Sequence, residues 1–166
     1  EFASAAGLAY GGEATWSLVD TEGEAGRVGI QIFGSDPEHM MAATRLLNDR
    51  QMDVLDINFG CPAKKVVKKC GGSALLADLP LLQKIVDAVV SESRVPVTAK
   101  IRTGWDEETV NYEEVGLLLQ EAGMCWVTMH GRTRAQKYIG QANWDRIAGL
   151  VEVLDIPVIG NGDVVD

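Results

Sequence analysis

Asp56-Ile57-Asn58-Phe59-Gly60-Cys61-Pro62 sets a cysteine between a glycine and a proline, just past a short apolar run from Val54 to Ile57. Gly60 and Pro62 stop that run from continuing as a strand, so the thiol falls on the loop at the strand's carboxyl end. In folds of parallel strands and helices, active sites are assembled at that end. A protonated thiol can hand a proton to a reacting carbon, whereas cationic neighbours favour the nucleophilic thiolate. Lys64, Lys65, Lys68 and Lys69 follow at once, a local positive island too hydrophilic for a core. The competing reading of Cys61 is the usual one for a free cysteine, a small buried apolar side chain.

Other polar residues sit at comparable places. Lys100 lies inside the apolar run Pro96 to Ile101. Buried lysine is rare without a partner, so it faces either a polar lumen or solvent from an edge strand. His130 closes the run Trp126 to Met129 and precedes Gly131-Arg132, as a ligand contact or as a structural histidine. Gln31 and Asn58 carry donors and acceptors suited to a ring edge or a base, and equally to capping their own loops. Asn161-Gly162-Asp163 follows the last strand, where exposed backbone amides commonly hold phosphate and where a plain turn is the alternative. Arg132 and Arg134, with Lys64 and Lys65, have the charge to meet nucleic-acid phosphates, though most charge runs are solvated loops.

The elements that must position these residues repeat as strand, then helix. Strands are expected at Val28–Phe33, Val54–Ile57, Pro96–Ile101, Trp126–Met129 and Ile156–Gly160. The first helix starts near Pro37, capped by Ser35 or Asp36, with Met40, Met41, Ala43, Thr44 and Leu47 facing the core. A second opens at Asp78 and Pro80 and buries Leu82, Ile85, Val86 and Val89. Helices over Tyr112–Gln120 and Trp144–Val153 complete the series, and the stretch after Cys61 reads as a glycine-bearing loop to Gly72. Alternation of this kind implies parallel pairing through right-handed crossovers, and a series this long favours a (β/α)8 barrel over a doubly wound sheet. Such barrels need about 250 residues, and this sequence opens without a methionine. Residues 1–166 are therefore expected to be the central part of a barrel domain, first and last strands missing, and poorly soluble alone because of its unpaired edges.

Composition narrows the class. Of 166 residues, 46% are hydrophobic and 23% charged, as in ordinary globular proteins. No apolar run nears the roughly 20 residues that cross a bilayer, so no membrane role is expected. The three cysteines form no CxxC pair and fit no closed disulfide set, which points to a cytoplasmic protein without a zinc site. A net charge of -9 argues weakly against nucleic acid, but the lysine island is local.

The ordered set of motifs resembles the tRNA-dihydrouridine synthase family, its bacterial B-type branch most closely. The residues that carry it are Gln31 with Gly34-Ser35-Asp36-Pro37, Asp56 to Pro62, Lys64-Lys65-Val66 with Gly71 to Leu76, and Pro96 to Trp105. His130-Gly131-Arg132-Thr133-Arg134, Gln136, Tyr138, Gly140, Trp144 and Gly160-Asn161-Gly162-Asp163 continue it, and the opening segment resembles the second barrel strand more loosely. The resemblance implies an FMN enzyme using NADPH to reduce the 5,6 double bond of uridine in tRNA, with Cys61 as proton donor. It implies that Lys100 meets the electron-rich end of the flavin ring and His130 its phosphate or ribityl chain. Gln31 and Asn161-Gly162-Asp163 would also touch cofactor, and Asn58, Lys64, Lys65, Arg132 and Arg134 the RNA. On this resemblance, the family's first strand, its last strand and its C-terminal helical tRNA-binding domain are expected to lie outside residues 1–166. Two other functions stay open: an FMN barrel reducing free pyrimidines, and a non-catalytic RNA-binding remnant.

Overall fold

The computed structural model describes residues 2–164. Strand β1 (Phe2–Ser4) leads into two short helices, α1 (Ala5–Ala9) and α2 (Glu13–Trp16). Then come β2 (Gly29–Phe33), α3 (Pro37–Leu47), β3 (Val54–Asn58), α4 (Lys64–Val67), a 3-10 segment at Gly72–Ala77, and α5 (Leu79–Val90). The remainder is β4 (Val97–Arg102), α6 (Tyr112–Glu121), β5 (Val127–His130), α7 (Trp144–Val153) and β6 (Val158–Asn161). The six strands form one sheet in sequence order, each neighbour pair parallel. This is a partial (β/α)8 barrel, with β1 and β6 as the edges of the described sheet.

Strand side chains alternate between two faces, and here the two faces differ in kind. Ile30, Ile32, Leu55, Ile57, Ala99, Ile101, Val127 and Met129 are buried with Met40, Leu47, Leu82, Ile85, Val115, Leu119 and Leu150 of the helices. That layer is the core. The alternate positions carry Gln31, Asp56, Asn58, Thr98, Lys100, Arg102, Thr128, His130 and Asn161, with Phe2, Phe33, Val54 and Ile159 on the same face. An inner face this polar suits a ligand better than a packed apolar lumen.

Helix starts follow their capping residues. The Asp36 carboxylate accepts from the amides of Glu38 at 2.8 Å and His39 at 3.4 Å, with Pro37 in the first turn. Asp78 accepts from Leu81 at 3.1 Å and Asn143 from Arg146 at 3.0 Å. Each cap contributes about 1 kcal/mol by satisfying an otherwise orphaned amide.

The structure departs from the sequence reading in four places. Strand ends move by one or two residues, so that Asn58, Arg102 and His130 are themselves in strand rather than just beyond it. An additional strand, β1, precedes the first one expected, and its three residues are too short to show alternation. The loop after Cys61 contains the one-turn helix α4. Met41 is half-buried rather than core-facing, while Met40 is fully buried. Among the described residues no helix is long and apolar enough to cross a membrane, and no cluster of three metal-ligating side chains occurs.

Candidate active site

Strand register stacks the polar inner face in rows. Gln31 pairs with Asp56, and Asp56 with Thr98. One row higher, Asn58 pairs with Lys100, and at the rim Arg102 pairs with His130 and His130 with Asn161. Above them opens a cleft of about 310 Å³ lined by Phe2, Gln31, Asn58, Gly60, Cys61, Pro62, Lys100, Arg102, His130, Tyr138 and Asn161. That volume is at the lower end of ordinary ligand sites.

Cys61 is free, 9% exposed, and held from several sides. The Asn58 side-chain oxygen accepts from the amides of Gly60 at 3.0 Å and Cys61 at 2.9 Å. The carbonyl of Cys61 accepts from the Ser73 hydroxyl at 2.8 Å. Gly72, at φ 59°, passes so close that a Cβ there would stand 2.9 Å from that carbonyl oxygen. A side chain at residue 72 would push the cysteine loop out of place.

Lys100 projects into the cleft between Asn58 and Thr128 in register. Burial, reinforced by the Arg102 charge and only partly opposed by Asp56, lowers its ammonium pKa to about 8. Among the described residues it makes no ion pair. Such a cation suits a ligand that carries or gains negative charge. Asp56 lies beneath, its pKa raised by burial against the hydrogen bonds it accepts from Thr98 and Gln31.

His130 is 7% exposed, and burial together with Arg102, Lys100 and Arg132 pushes its pKa down to about 4. Its Nε2 stands 3.3 Å from an Arg132 guanidinium nitrogen. Arginine only donates, so Nε2 accepts and the neutral ring carries its proton on Nδ1. Gly162, at φ 107°, approaches the same ring so closely that a Cβ would overlap Nε2 and Cδ2.

At the rim, Arg132 and Asp163 form an ion pair. Arg132 is 5% exposed, and one of its nitrogens donates to both Asp163 carboxylate oxygens at 2.7 Å and to the Gly140 carbonyl at 2.7 Å. Asp163 also accepts from the Ala142 amide at 2.7 Å, which with Arg132 holds its carboxyl below the usual range. These two side chains close on each other and tie β5 to the segment after β6. Arg134 is half-buried and stacks over the Trp105 ring at 4.1 Å. Lys64 and Lys65 are exposed on α4, outside the cleft lining. Of the expected site residues, the cleft therefore gathers Gln31, Asn58, Cys61, Lys100, His130 and Asn161.

Arg102 belongs to the site although the sequence reading gave it no role. It is 3% exposed, donates to the Gly60 carbonyl at 2.8 Å and to those of Thr133 and Lys137 at 3.2 and 2.9 Å. Its guanidinium also lies 5.6 Å from the Tyr138 ring centre. The signal was its spacing: two residues after Lys100 in a strand, it shares that lysine's face.

Comparison with known proteins gives a consistent picture. The sequence model of the dihydrouridine synthase family matches residues 1–166. The tRNA-dihydrouridine synthase B of Yersinia pestis is 46% identical over 143 residues, covering 86% of this chain and 44% of that protein. The protein of the same name from Vibrio parahaemolyticus is 45% identical over 143 residues, with the same coverage of 86% and 44%. A probable tRNA-dihydrouridine synthase of Rickettsia typhi is 44% identical over 135 residues, 81% of this chain and 41% of that one. The chain thus spans less than half the length of these relatives.

Proposed function

From membership of the dihydrouridine synthase family, to which this chain belongs, we propose that the intact protein reduces the 5,6 double bond of a uridine in tRNA, with FMN as cofactor and NADPH as reductant. The observation that carries this reading is the convergence of Asn58, Cys61, Lys100 and His130 on one cleft at the strand ends. The cleft fits a flavin on two counts: an ammonium without an ion-pair partner among the described residues, and a neutral histidine whose Nε2 is already engaged. Lys100 would hold the electron-rich edge of the ring, with Gln31 near it. His130, Asn161 and the backbone of Gly162 would lie along the side chain and phosphate. When bound and reduced, that cofactor supplies a hydride to C6 of the uracil ring.

The protein's own part is to bind, orient and protonate. Cys61 Sγ gives its proton to C5, on the side of the cleft where Asn58 fixes the loop, and the thiolate takes a proton back from water. Lys100 remains largely cationic below pH 8, which favours charge on the ligand it faces. Asn58 splits its functions: its oxygen is spent on the Cys61 loop and one amide hydrogen on Gln31, so its second amide hydrogen bears on ring contacts. A base in tRNA must leave its stack to reach a thiol only 9% exposed, so the RNA has to deliver a flipped uridine. Lys64 and Lys65, exposed on the same loop, and Arg134 beside Trp105 would meet the flanking strand. Arg132 acts instead by holding His130 and Asp163.

The test is substrate choice by the intact, flavin-loaded protein. Dihydrouridine formed in unmodified tRNA, with free uracil and orotate left unreduced, is the expected result. Reduction of the free pyrimidines with tRNA untouched would replace this reading with a small-molecule reductase. A colourless protein that binds RNA without reducing it would make the chain a binding remnant.

A further inference from the structure

A single hydrogen-bonded line runs from Thr98 and Asp56, beneath the cleft, to Gln31 and Asn58 in its lining. Thr98 Oγ1 donates to Asp56 Oδ1 at 2.6 Å, and Gln31 Nε2 donates to Asp56 Oδ2. Gln31 Oε1 accepts from Asn58 Nδ2 at 2.8 Å, and Asn58 Oδ1 accepts from the Gly60 and Cys61 amides. Each link fixes the polarity of the next. An ionised carboxylate only accepts, so it must face the NH2 end of Gln31. That turns the Gln31 oxygen toward Asn58, and the Asn58 oxygen toward the two amides of the cysteine loop. Reversing Gln31 would set its oxygen against a carboxylate and its NH2 against another NH2. Strand register makes the line possible, because Gln31, Asp56 and Thr98 are direct neighbours on three adjacent strands.

We infer that Asp56 is a positioning residue for the thiol: through Gln31 and Asn58 it sets which way two amide side chains point and so holds Cys61 in the cleft. Asp56 lines no part of the cleft and touches no reacting atom in the proposed reaction. This inference rests on that reaction for its importance to catalysis, but not for its geometry.

Alkylation of Cys61 by iodoacetamide, followed by mass spectrometry on the intact protein without flavin or tRNA, tests it. Asp56→Leu removes the acceptor and frees Gln31 to turn. Cys61 should then alkylate about tenfold faster, the weight of one hydrogen bond to a charged group. Asp56→Asn preserves the line, since its oxygen accepts from Gln31 and its NH2 donates to the Thr98 hydroxyl, so its rate should stay near wild type. Gln31→Leu breaks the same line at its next link, and the double variant with Asp56→Leu should be no faster than either alone. Gln31→Leu alone carries the prediction if Asp56→Leu does not fold. Equal rates in Gln31→Leu and wild type would overturn the inference, as would equal acceleration by Asp56→Asn and Asp56→Leu, which would make charge alone the agent. Protein that shows this pattern yet forms no dihydrouridine would leave the relay standing and remove the assigned reaction. In an active protein, Gln31→Leu and Asp56→Leu should lower kcat for tRNA with little change in KM.

Discussion

Replacing Lys100 by Met should make the ligand-free protein more stable while ruining its site. The side chain stands on the inner face among Asn58, Arg102 and Thr128 without an ion pair among the described residues, and burial is the largest cause of its lowered pKa. A fall from 10.5 to about 8 corresponds to roughly 3 kcal/mol at about 1.4 kcal/mol per tenfold. Partial solvent access trims that to about 2 kcal/mol. The sign follows from proton counting. Unfolded lysine keeps its proton up to about pH 10.5, folded Lys100 only to about 8, so between those values unfolding takes up a proton. Stability lost to this burial is therefore constant below pH 8 and recovered as pH rises toward 10.5. Urea unfolding of intact, flavin-free protein should give Lys100→Met about 2 kcal/mol over wild type at pH 7, with the gap closing through that alkaline window. Flavin affinity should fall in the same variant. A destabilised Lys100→Met, or a gap independent of pH, would refute the burial cost assigned to this ammonium.

Two further outcomes follow from the His130 corner. Gly162→Ala combines a positive φ with overlap on the His130 ring, so it should cost about 2–4 kcal/mol in thermal unfolding and displace the imidazole, which NMR of the ring protons reads directly. His130 has a folded pKa near 4 against 6.5 in the unfolded chain, so acid should remove stability between those pH values, and His130→Gln should unfold without that contribution. Equal acid sensitivity in wild type and His130→Gln would place the titration elsewhere.

Much of this was legible because parallel strands announce themselves. Leu55 with Ile57 and Ala99 with Ile101 are apolar on one face, and the capping residues Asp36 and Asp78 mark helix starts. Gln31, Asn58, Cys61, Lys100 and His130 were found as polar or reactive residues at strand ends, and the cleft gathers all five. What escaped depends on register and on partners, which periodicity does not encode. Asp56 looked like part of a motif, yet its place beside Gln31 and Thr98 appears only when the strands are aligned. Arg132 and Asp163 carry no mark of each other in the sequence, yet 31 residues apart they pair at the rim. The short strand β1 and the one-turn helix α4 are too brief for either period to show. Their formation rests on neighbours rather than on local pattern.

The sharpest measurement is the reoxidation of bound, reduced flavin by unmodified tRNA, followed by its visible absorbance in the intact wild-type protein and in Cys61→Ala. The variant should bind flavin and accept electrons from NADPH as wild type does, then pass them to tRNA about 10²–10⁴ times more slowly. Reoxidation at the wild-type rate would take the proton donor away from Cys61, and protein that takes up no flavin at all would empty the cleft of its assigned chemistry.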